Sequence, residues 1–418
     1  MRARRPPLID LFAGCGGLSL GLEQAGFEPV FVNELNADAM ESYLLNREDV
    51  LPGLRSPRSH VHDILDVTQK PGELAALANR LRREHGEIGL VAGGPPCQGY
   101  SGIGHRRTFS ELAKLDIPSN HLYREMAKFV DAIQPRAFLF ENVRGLLSSR
   151  WFAGGEKGEI FRDVRAAFNK IGQRRGSRGY NIGWALVHAR HYGVPQNRPR
   201  VLMAGVRDDI AFKSTSKTGD GLIPDPTLMG PDLVDLLGDL IDPNWVMGGA
   251  TSTYCSSATN DVQRWLRSTP DGKVAKRGSP LTEMEYSRHS DIVAEKFRHM
   301  LANGGEIPDH FKTKKFAQRL LPERWDSDGP SITATSLPDD YVHFSQPRVL
   351  TVREWARLQM FPDHYRFAGK RTTGGRRRAG DPSQNDWSRE VPKYTQIGNA
   401  VPVELARVVG EHLRDLIS

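Results

Sequence analysis

The sequence is poor in cysteine and contains no long apolar run. Only three of its 418 residues are cysteines, Cys15, Cys97 and Cys255, which is too few for the disulfide framework of a small secreted protein. No apolar stretch approaches the roughly 20 residues that a membrane-spanning helix needs. The basic start of the chain is too short and too charged to be a signal peptide. These absences predict an intracellular protein in a reducing compartment, with no membrane association.

The composition is that of a large globular protein with a mild excess of positive charge. Hydrophobic residues make up 39% of the chain, more than a disordered protein contains. At 418 residues the chain exceeds what one hydrophobic core usually supports, which predicts two domains. The chain has 57 Lys and Arg against 50 Asp and Glu, a formal net charge of +7. This charge permits a nucleic-acid partner without demonstrating one.

Short apolar runs alternate with helical patterns in the first half of the chain. The runs span residues 8–12, 29–32, 89–92, 137–140, 184–188 and 201–206. Helical periodicity between them covers Glu73–His85 and Leu122–Ile133. This alternation predicts a doubly wound α/β domain with a parallel sheet over about residues 1–208. An irregular, Gly- and Pro-rich region follows, and helical patterns return at Val352–Met360 and Val403–Leu416.

A glycine-rich segment, DLFAGCGG (Asp10–Gly17), follows the first run and opens a helix. Glycines let the backbone approach a ligand closely, and a helix N-terminus offers free N–H groups. Glu34 is placed to bind a ribose diol, while Asp63 and Ile64 are placed to contact an adenine. Ser19 stands where a dinucleotide fingerprint would have its third glycine. These residues predict an adenosine-containing cofactor, and NAD and S-adenosylmethionine both remain open.

Cys97 lies in the segment GGPPCQ, directly after a buried strand. Ligands in an open α/β sheet bind beyond the carboxyl ends of the strands. A lone cysteine is most often an inert packing residue, but the two preceding prolines make this a poor place for packing. A thiolate nucleophile is therefore the sharper interpretation.

Three further charged residues are candidates for the same site. Glu141 ends the next strand, where a carboxyl group suits general acid catalysis, although a surface ion pair is the alternative. Arg198 and Arg200 would point the same way in an extended chain. One arginine would then lie near a substrate carbonyl and the other would hold the site together, although solvated charge before a strand is the alternative.

Taken in order, these segments resemble those of the DNA cytosine-5 methyltransferases of bacterial restriction-modification systems. The matching segments are DLFAGCGG (Asp10–Gly17), PCQ (Pro96–Gln98), ENV (Glu141–Val143), QNRPR (Gln196–Arg200), RE and ARLQ (within Arg353–Gln359) and QIGNAV (Gln396–Val401). One such segment alone is weak to moderate evidence, whereas six in order are strong evidence. The resemblance spans nearly the whole chain apart from about residues 210–325.

The resemblance implies a reaction and roles for the catalytic residues. The cofactor would be S-adenosylmethionine, with S-adenosylhomocysteine as the product, and the substrate a specific sequence in double-stranded DNA. Cys97 would attack C6 of a flipped cytosine. Glu141 would contact N3 and the exocyclic amine and protonate N3, while Arg198 would contact O2 and Arg200 would complete the catalytic set.

The resemblance also implies the residues around the cofactor and the DNA, and it implies no metal. The cofactor residues are Phe12, Gly14, Cys15, Gly16, Gly17, Glu34, Leu35, Asp63, Ile64, Pro96, Asn399 and Val401. Family members often place an aromatic residue at the position of Leu35, so this position departs from the pattern. The substrate-binding residues are Gln98, Ser101, Asn142, Gln196 and Thr333.

The expected domain organisation follows the same family. Residues 1–208 and 395–418 would form the catalytic domain, and residues 209–394 a smaller target-recognition domain. Thr333 lies in a segment that would hold the backbone around the flipped nucleotide. Residues 366–378 carry six Arg or Lys, and both a solvated loop and a phosphate-contacting arm are open interpretations. The resemblance also implies a monomer in the prokaryotic cytoplasm that associates with the nucleoid through its substrate, and a cognate restriction endonuclease is a candidate partner.

Three other functions compete with this interpretation. A tRNA cytosine-5 methyltransferase would share the fold, but the large region at about 210–345 favours duplex DNA. A catalytically silent DNA-binding relative would not need the intact Cys97, Glu141 and Arg198. A NAD-dependent oxidoreductase is disfavoured by Ser19 and leaves Cys97 unexplained.

Overall fold

A computed structural model describes residues 5–96, 118–152, 154–173, 176–312, 318–324, 339–372 and 390–418. Among these residues no helix is both long and apolar enough to cross a membrane. The chain forms two compact units. The first unit comprises Met1–Tyr192, Arg198–Leu228 and Val401–Ser418, and the second comprises Gly193–Asn197 and Met229–Ala400. The functional domain boundaries predicted at 208/209 and 394/395 stay predictions.

Seven strands of the first unit form one sheet. They are β1 (Pro7–Leu11), β2 (Glu28–Asn33), β3 (His60–Val61), β4 (Leu90–Gly93), β5 (Ala137–Val143), β6 (Tyr180–His188) and β7 (Pro199–Arg207). Their order across the sheet is β3-β2-β1-β4-β5-β7-β6. Helices flank this sheet, so the predicted α/β methyltransferase-type fold is confirmed.

The prediction of a parallel sheet is wrong for one strand. β1 to β5 pair in parallel, whereas β7 is antiparallel to both of its neighbours, β5 and β6. The link from β6 to β7 spans only residues 189–198 and contains no α-helix. Such a short link can join antiparallel strands, whereas parallel neighbours need a longer crossover connection.

The described part of the chain also contains twelve α-helices, several short 3₁₀ helices and one further pair of short strands. The helices are α1 (Gly17–Gln24), α2 (Ala37–Leu45), α3 (Leu65–Thr68), α4 (Glu73–His85), α5 (Leu122–Ile133), α6 (Glu159–Asn169), α7 (Leu233–Leu237), α8 (Asp261–Leu266), α9 (Asp291–Ala302), α10 (Val352–Leu358), α11 (Lys393–Asn399) and α12 (Val403–Leu416). In the second unit, β8 (Arg319–Leu320) pairs in parallel with β9 (Tyr341–Val342).

The C-terminal helix α12 packs against α1 in the first unit. Gly21 of α1 faces the Val403 carbonyl and the Ala406 side chain so closely that a Cβ atom would not fit there. Gly410 of α12 in turn leaves room for Leu22 and Ala25. Glycine on each helix thus lets the two backbones approach, and the end of the chain supports the helix that follows the glycine-rich turn.

Side chains of β1 alternate between the two faces of the sheet. Ile9 and Leu11 point into the main apolar core with residues of α4, α5 and α6. Because successive side chains on a strand face opposite sides, Asp10 points to the other face, and it is fully buried there. A carboxyl group therefore lies inside the first unit, at the strand end that leads into the glycine-rich turn.

Buried ion pairs organise the second unit around α10. Arg357 pairs with both Asp239 and Asp363, and Arg267 also pairs with Asp239, at N–O distances of 2.5–2.6 Å. Thr351 and Glu354 form a reciprocal capping box at the start of the helix. The arginines of the REWARLQ segment thus have structural partners within this unit.

Candidate active site

The candidate residues of the first unit gather at one edge of the sheet. β1 to β5 run in parallel, so their carboxyl ends share an edge. The glycine-rich turn, Glu34 and Asp63 follow β1, β2 and β3, and Glu141 lies near the end of β5. β7 runs the other way, so its first residues start at this same edge, where Arg200 pairs in register with Val143.

The glycine-rich turn has an unusual backbone. Phe12, Gly14 and Gly16 have φ angles of 57°, 56° and 88°, a region that favours glycine and costs free energy at Phe12. The Phe12 N–H donates to Asn33 Oδ1 at 3.3 Å, which helps to hold this conformation. No described atom lies within 4 Å of the position that a Cβ of Gly14 would take. The turn therefore faces open space, and no side chain among the described residues caps α1.

Glu34 is tied to this turn through its carboxylate. Oε2 accepts the Gly14 N–H at 2.9 Å, and Oε1 accepts the Asn36 N–H at 2.8 Å. Burial raises the pKa of Glu34, while these two N–H groups lower it. A carboxylate has about four acceptor positions, so Glu34 can still accept hydrogen bonds from a diol. The structure thus brings Glu34 together with the glycine-rich turn, and its contact with a ribose diol stays a prediction.

The other predicted cofactor residues after β2 and β3 differ in their exposure. Leu35 is 70% exposed, so an apolar side chain lies uncovered next to Glu34. Asp63 Oδ1 accepts the Leu65 N–H at 2.9 Å. Ile64 is buried in the main core, which leaves little of its side chain for a ring contact.

Cys15 supports the turn from inside the protein. It is buried beside Gly16 and Gly17, and burial raises the pKa of its thiol to about 12. A protonated, buried thiol is unreactive, so Cys15 is no rival to Cys97 as a nucleophile. Val401 is buried in the first unit, whereas Asn399 is exposed in the second. The cofactor roles of Val401 and Asn399 stay predictions.

Glu141 and Arg200 form an ion pair at the edge of the sheet. Glu141 Oε1 lies 2.6 Å from Arg200 Nε, and the two side chains are only 11% and 12% exposed. Burial raises the pKa of Glu141, although the positive charges of Arg200 and Arg198 lower it. A Cβ at Gly94 would lie 2.9 Å from Glu141 Oε2. The chain leaving β4 therefore passes directly beside this carboxyl group on its way to Pro96.

Asn142 fixes the segment that leads to Cys97. Its Nδ2 donates to the Pro95 carbonyl at 3.1 Å, and its Oδ1 accepts the Val143 N–H at 2.9 Å. Gln196 of the second unit donates through Nε2 to the Leu358 carbonyl at 2.7 Å. Both side chains thus have partners within the protein, and their predicted substrate contacts stay predictions. Cys97, Gln98, Ser101 and Thr333 lie outside the described residues.

Two buried polar residues of this site were missed by the sequence predictions. Asn33 donates through Nδ2 to the Val61 and His62 carbonyls at 3.2 and 2.7 Å, and so joins the end of β3 to the turn. Asp10 is fully buried, and neither of its carboxylate oxygens has a hydrogen-bond partner among the described residues. The available signal was a polar residue within or at the end of an otherwise apolar strand.

Comparisons with known proteins agree on one family. A family model described as C-5 cytosine-specific DNA methylase matches residues 7–415. The Type II methyltransferase M.DdeI of Desulfomicrobium norvegicum is 28% identical over 97% of this chain and 88% of its own length. The Type II methyltransferase M.XorII of Xanthomonas oryzae pv. oryzae is 30% identical over 97% and 84%.

Solved structures show the same fold. A structure assigned as a DNA modification methyltransferase encoded within an E. coli prophage has a TM-score of 0.64 at 24% identity, covering 98% of this chain and 99% of that one. The S. pombe Dnmt2 methyltransferase has a TM-score of 0.52 at 14% identity, covering 99% and 98%.

Proposed function

The chain belongs to the C-5 cytosine-specific DNA methylases, and it is an enzyme of the restriction-modification type; we propose that it methylates C5 of a cytosine flipped out of duplex DNA. The methyl donor is S-adenosylmethionine, and Cys97 forms a transient covalent bond to C6 of the base. Methylation of its target sequence protects the DNA from a cognate restriction endonuclease.

The covalent route follows from the weak nucleophilicity of cytosine C5. Addition of the Cys97 thiolate to C6, with protonation of N3 by Glu141, turns the base into an enamine whose C5 carries electron density. C5 then takes the methyl group, which leaves S-adenosylhomocysteine as the other product. A base removes the proton from C5, the thiolate leaves C6, and N3 returns its proton to Glu141, so that the aromatic ring is restored. This route divides one difficult step into several easier ones, and it requires the base to leave the duplex.

The observation that carries the proposal is the buried ion pair between Glu141 and Arg200. Its N–O distance is 2.6 Å, and it lies beside Gly94, three residues before Cys97. A carboxyl group whose pKa is raised by burial is suited to hold a proton for N3. The cation next to it, Arg200, would hold this carboxyl group in place. Arg198, also buried, adds positive charge and remains the predicted contact of O2.

The residues around the glycine-rich turn fit S-adenosylmethionine. The cofactor carries a sulfonium and an ammonium group, and the buried Asp10 carboxyl group lacks a hydrogen-bond partner among the described residues. Glu34 would hold the ribose diol, and the open space at Gly14 leaves room for the ligand. When bound, the cofactor supplies an electrophilic methyl group on sulfur. The turn and Glu34 would bind and orient it, while the buried Asp10 carboxylate would favour its positive charge through electrostatic attraction rather than by contact.

The affinity for the cofactor is expected to rise with pH, because the Asp10 carboxyl group becomes ionised. Burial raises the pKa of Asp10 to about 7, although Ser19 and Arg47 lower it, whereas Glu23 and Glu34 raise it further. A bound cation favours the ionised carboxylate, so binding below this pKa must release a proton. Calorimetric titrations should show tighter binding as the pH rises from about 6 to about 8. Asp10→Asn should bind more weakly and lose this slope.

The raised pKa of Asp10 also makes the free energy of unfolding depend on pH. The folded protein holds the Asp10 proton more tightly than the unfolded chain, so the contribution of Asp10 to the free energy of unfolding is fully present below about pH 4 and is lost as the pH rises through about 7. Asp10→Asn should remove this slope. Asp209→Asn is a matched control, because it removes a carboxylate that pairs with Arg207 near the C-terminal end of β7. If Asp10→Asn kept the pH slope of cofactor affinity seen in the wild type, Asp10 would have no role in binding.

Methyl transfer from labelled S-adenosylmethionine tests the proposed function. Purified protein is incubated with duplex DNA from a host that lacks the protein, and separately with total tRNA. We expect label in DNA alone, at cytosine C5, and bisulfite sequencing of a host that expresses the protein should reveal one methylated sequence. Label in tRNA instead of DNA would establish the competing RNA activity. Label in neither, with bound cofactor, would indicate a silent relative.

A further inference from the structure

Five residues beside the glycine-rich turn form a mostly buried set of polar contacts, here called the turn cluster. They are Ser19, Glu23, Tyr43, Arg47 and, through its backbone carbonyl, Gly16. Arg47 follows α2 and is only 2% exposed. Its guanidinium donates to Glu23 Oε1 from Nε at 2.8 Å and from Nη2 at 2.5 Å. Nη1 donates to the Tyr43 carbonyl at 2.8 Å. The guanidinium carbon also lies 3.7 Å from the centre of the Tyr43 ring.

The turn cluster holds α1 at both of its ends. Arg47 Nη2 donates to the Gly16 carbonyl at 3.4 Å, and this carbonyl also accepts the first helical hydrogen bond, from Leu20. Tyr43 Oη lies 2.7 Å from Ser19 Oγ in the first turn of the helix. Glu23 lies in the last turn. Arg47 thus fixes the start of α1, its end and the neighbouring helix α2 with one planar group.

In the sequence, Ser19 only marks the place where the third glycine of a dinucleotide-binding motif is missing. In the structure Ser19 is fully buried, and its hydroxyl contacts Tyr43. A ligand bound at the turn would depend on the direction of the N–H groups at the start of α1. That direction is set by the contacts of α1 with α12 on one side and by the turn cluster on the other.

We propose that Arg47 is a positioning residue for the cofactor: its contacts with Gly16, Glu23 and Tyr43 hold the glycine-rich turn in the conformation that binds S-adenosylmethionine. This inference rests on the proposed function. Arg47 would touch neither the methyl group nor the base, and it acts only through the glycine-rich turn. Its loss should therefore weaken cofactor binding and leave DNA binding intact. An arginine is needed because a lysine ammonium lacks the planar fork that reaches three acceptors at once.

The test compares a double variant with two single ones. Arg47→Met alone would leave Glu23 as an unpaired, partly buried charge. The main variant is therefore Glu23→Leu with Arg47→Met, which replaces the pair by apolar side chains of similar size. Arg47→Lys keeps the charge and is the conservative variant. Arg55→Met is the matched control, because Arg55 pairs with Glu41 of the same helix α2 but is about one-third exposed.

Three quantities are measured on each folded protein: the Kd for S-adenosylmethionine and S-adenosylhomocysteine by calorimetry, the Kd for duplex DNA, and amide hydrogen exchange at the start of α1 without cofactor. For the double variant we expect a cofactor Kd about tenfold higher, faster exchange in the first turn of α1, and a DNA Kd within about twofold of the wild type. For Arg47→Lys, the cofactor Kd and the exchange rate should lie between those of the wild type and those of the double variant. Arg55→Met should match the wild type in all three quantities.

Two results would overturn the positioning role. One is a folded double variant that keeps the wild-type cofactor Kd and exchange rates, and the other is an equal loss of cofactor and DNA binding. If the double variant does not fold, Arg47→Lys decides by the same criteria. A wild-type protein that binds no cofactor would refute the proposed function, and the exchange rates alone would then decide whether Arg47 holds the turn.

Discussion

Replacement of Cys97 by alanine is expected to reduce methyl transfer by about 10⁴-fold or more, because the covalent intermediate cannot form without the thiolate. Cofactor binding and DNA binding should stay close to those of the wild type, since the turn, Glu34 and the second unit are unchanged. Single-turnover transfer of labelled methyl groups measures the first effect. Calorimetry and a DNA-binding titration measure the other two.

Cys255→Ala is the matched control for this experiment. Cys255 is partly exposed, and burial together with Asp242 raises the pKa of its thiol, so it is a poor nucleophile and its loss should not change the rate. A Cys97→Ala protein that still methylated DNA at a comparable rate would contradict the assigned nucleophile. An equal loss in Cys255→Ala would point to a general effect of cysteine removal on the fold.

Replacement of Glu141 by glutamine is expected to lower the rate of methyl transfer by about 10²- to 10⁴-fold, the usual contribution of a general acid. Glutamine keeps the size of the side chain and cannot give a proton to N3. Because burial raises the pKa of Glu141, its acid form persists to higher pH than that of an exposed glutamate. The wild-type rate should therefore fall as the pH rises through this pKa, and this fall should be absent in Glu141→Gln.

A second ion pair provides the control for Glu141, at the end of β7 opposite to that of Arg200. Glu87 pairs with Arg207, at the C-terminal end of β7, at 2.5 Å, but its side chain is about half exposed. Glu87→Gln should leave both the rate and its pH profile unchanged, because Glu87 precedes the start of β4 and lies away from the edge where β4 and β5 end. If Glu141→Gln methylated DNA with the wild-type pH profile, another group would have to supply the proton.

Much of the secondary structure of the first unit could be predicted from the sequence. The bounds of α4, α5 and α12 match the predicted helices, because each has a strong apolar period. The direction of β7 could not be predicted, since an apolar run reads the same in a parallel and an antiparallel strand. Only the short connection after β6 indicated antiparallel pairing, and the pairing partner of β7 depends on residues that are distant in the sequence.

The candidate site was predictable where a motif has a fixed spacing. Gly14 and Glu34 lie at the ends of neighbouring strands, and their hydrogen bond follows from that placement. The partners of Asn142 and Gln196 depend on tertiary contacts, and the sequence could not reveal them. Arg47 was missed for the same reason: in the sequence it is a charged residue after a helix, and only the fold shows that it is buried against Glu23.

Trapping of the covalent intermediate tests the central claim most directly. Duplex DNA made with 5-fluorocytosine offers a C5 that, once methylated, has no proton to lose, so the bond between Cys97 and C6 should persist. With S-adenosylmethionine present, we expect a protein–DNA complex that survives denaturation, and mass spectrometry should find the methylated base on the peptide that contains Cys97. Cys97→Ala should form none. Methylation of ordinary DNA without any trapped complex, or a complex through another residue, would contradict the account.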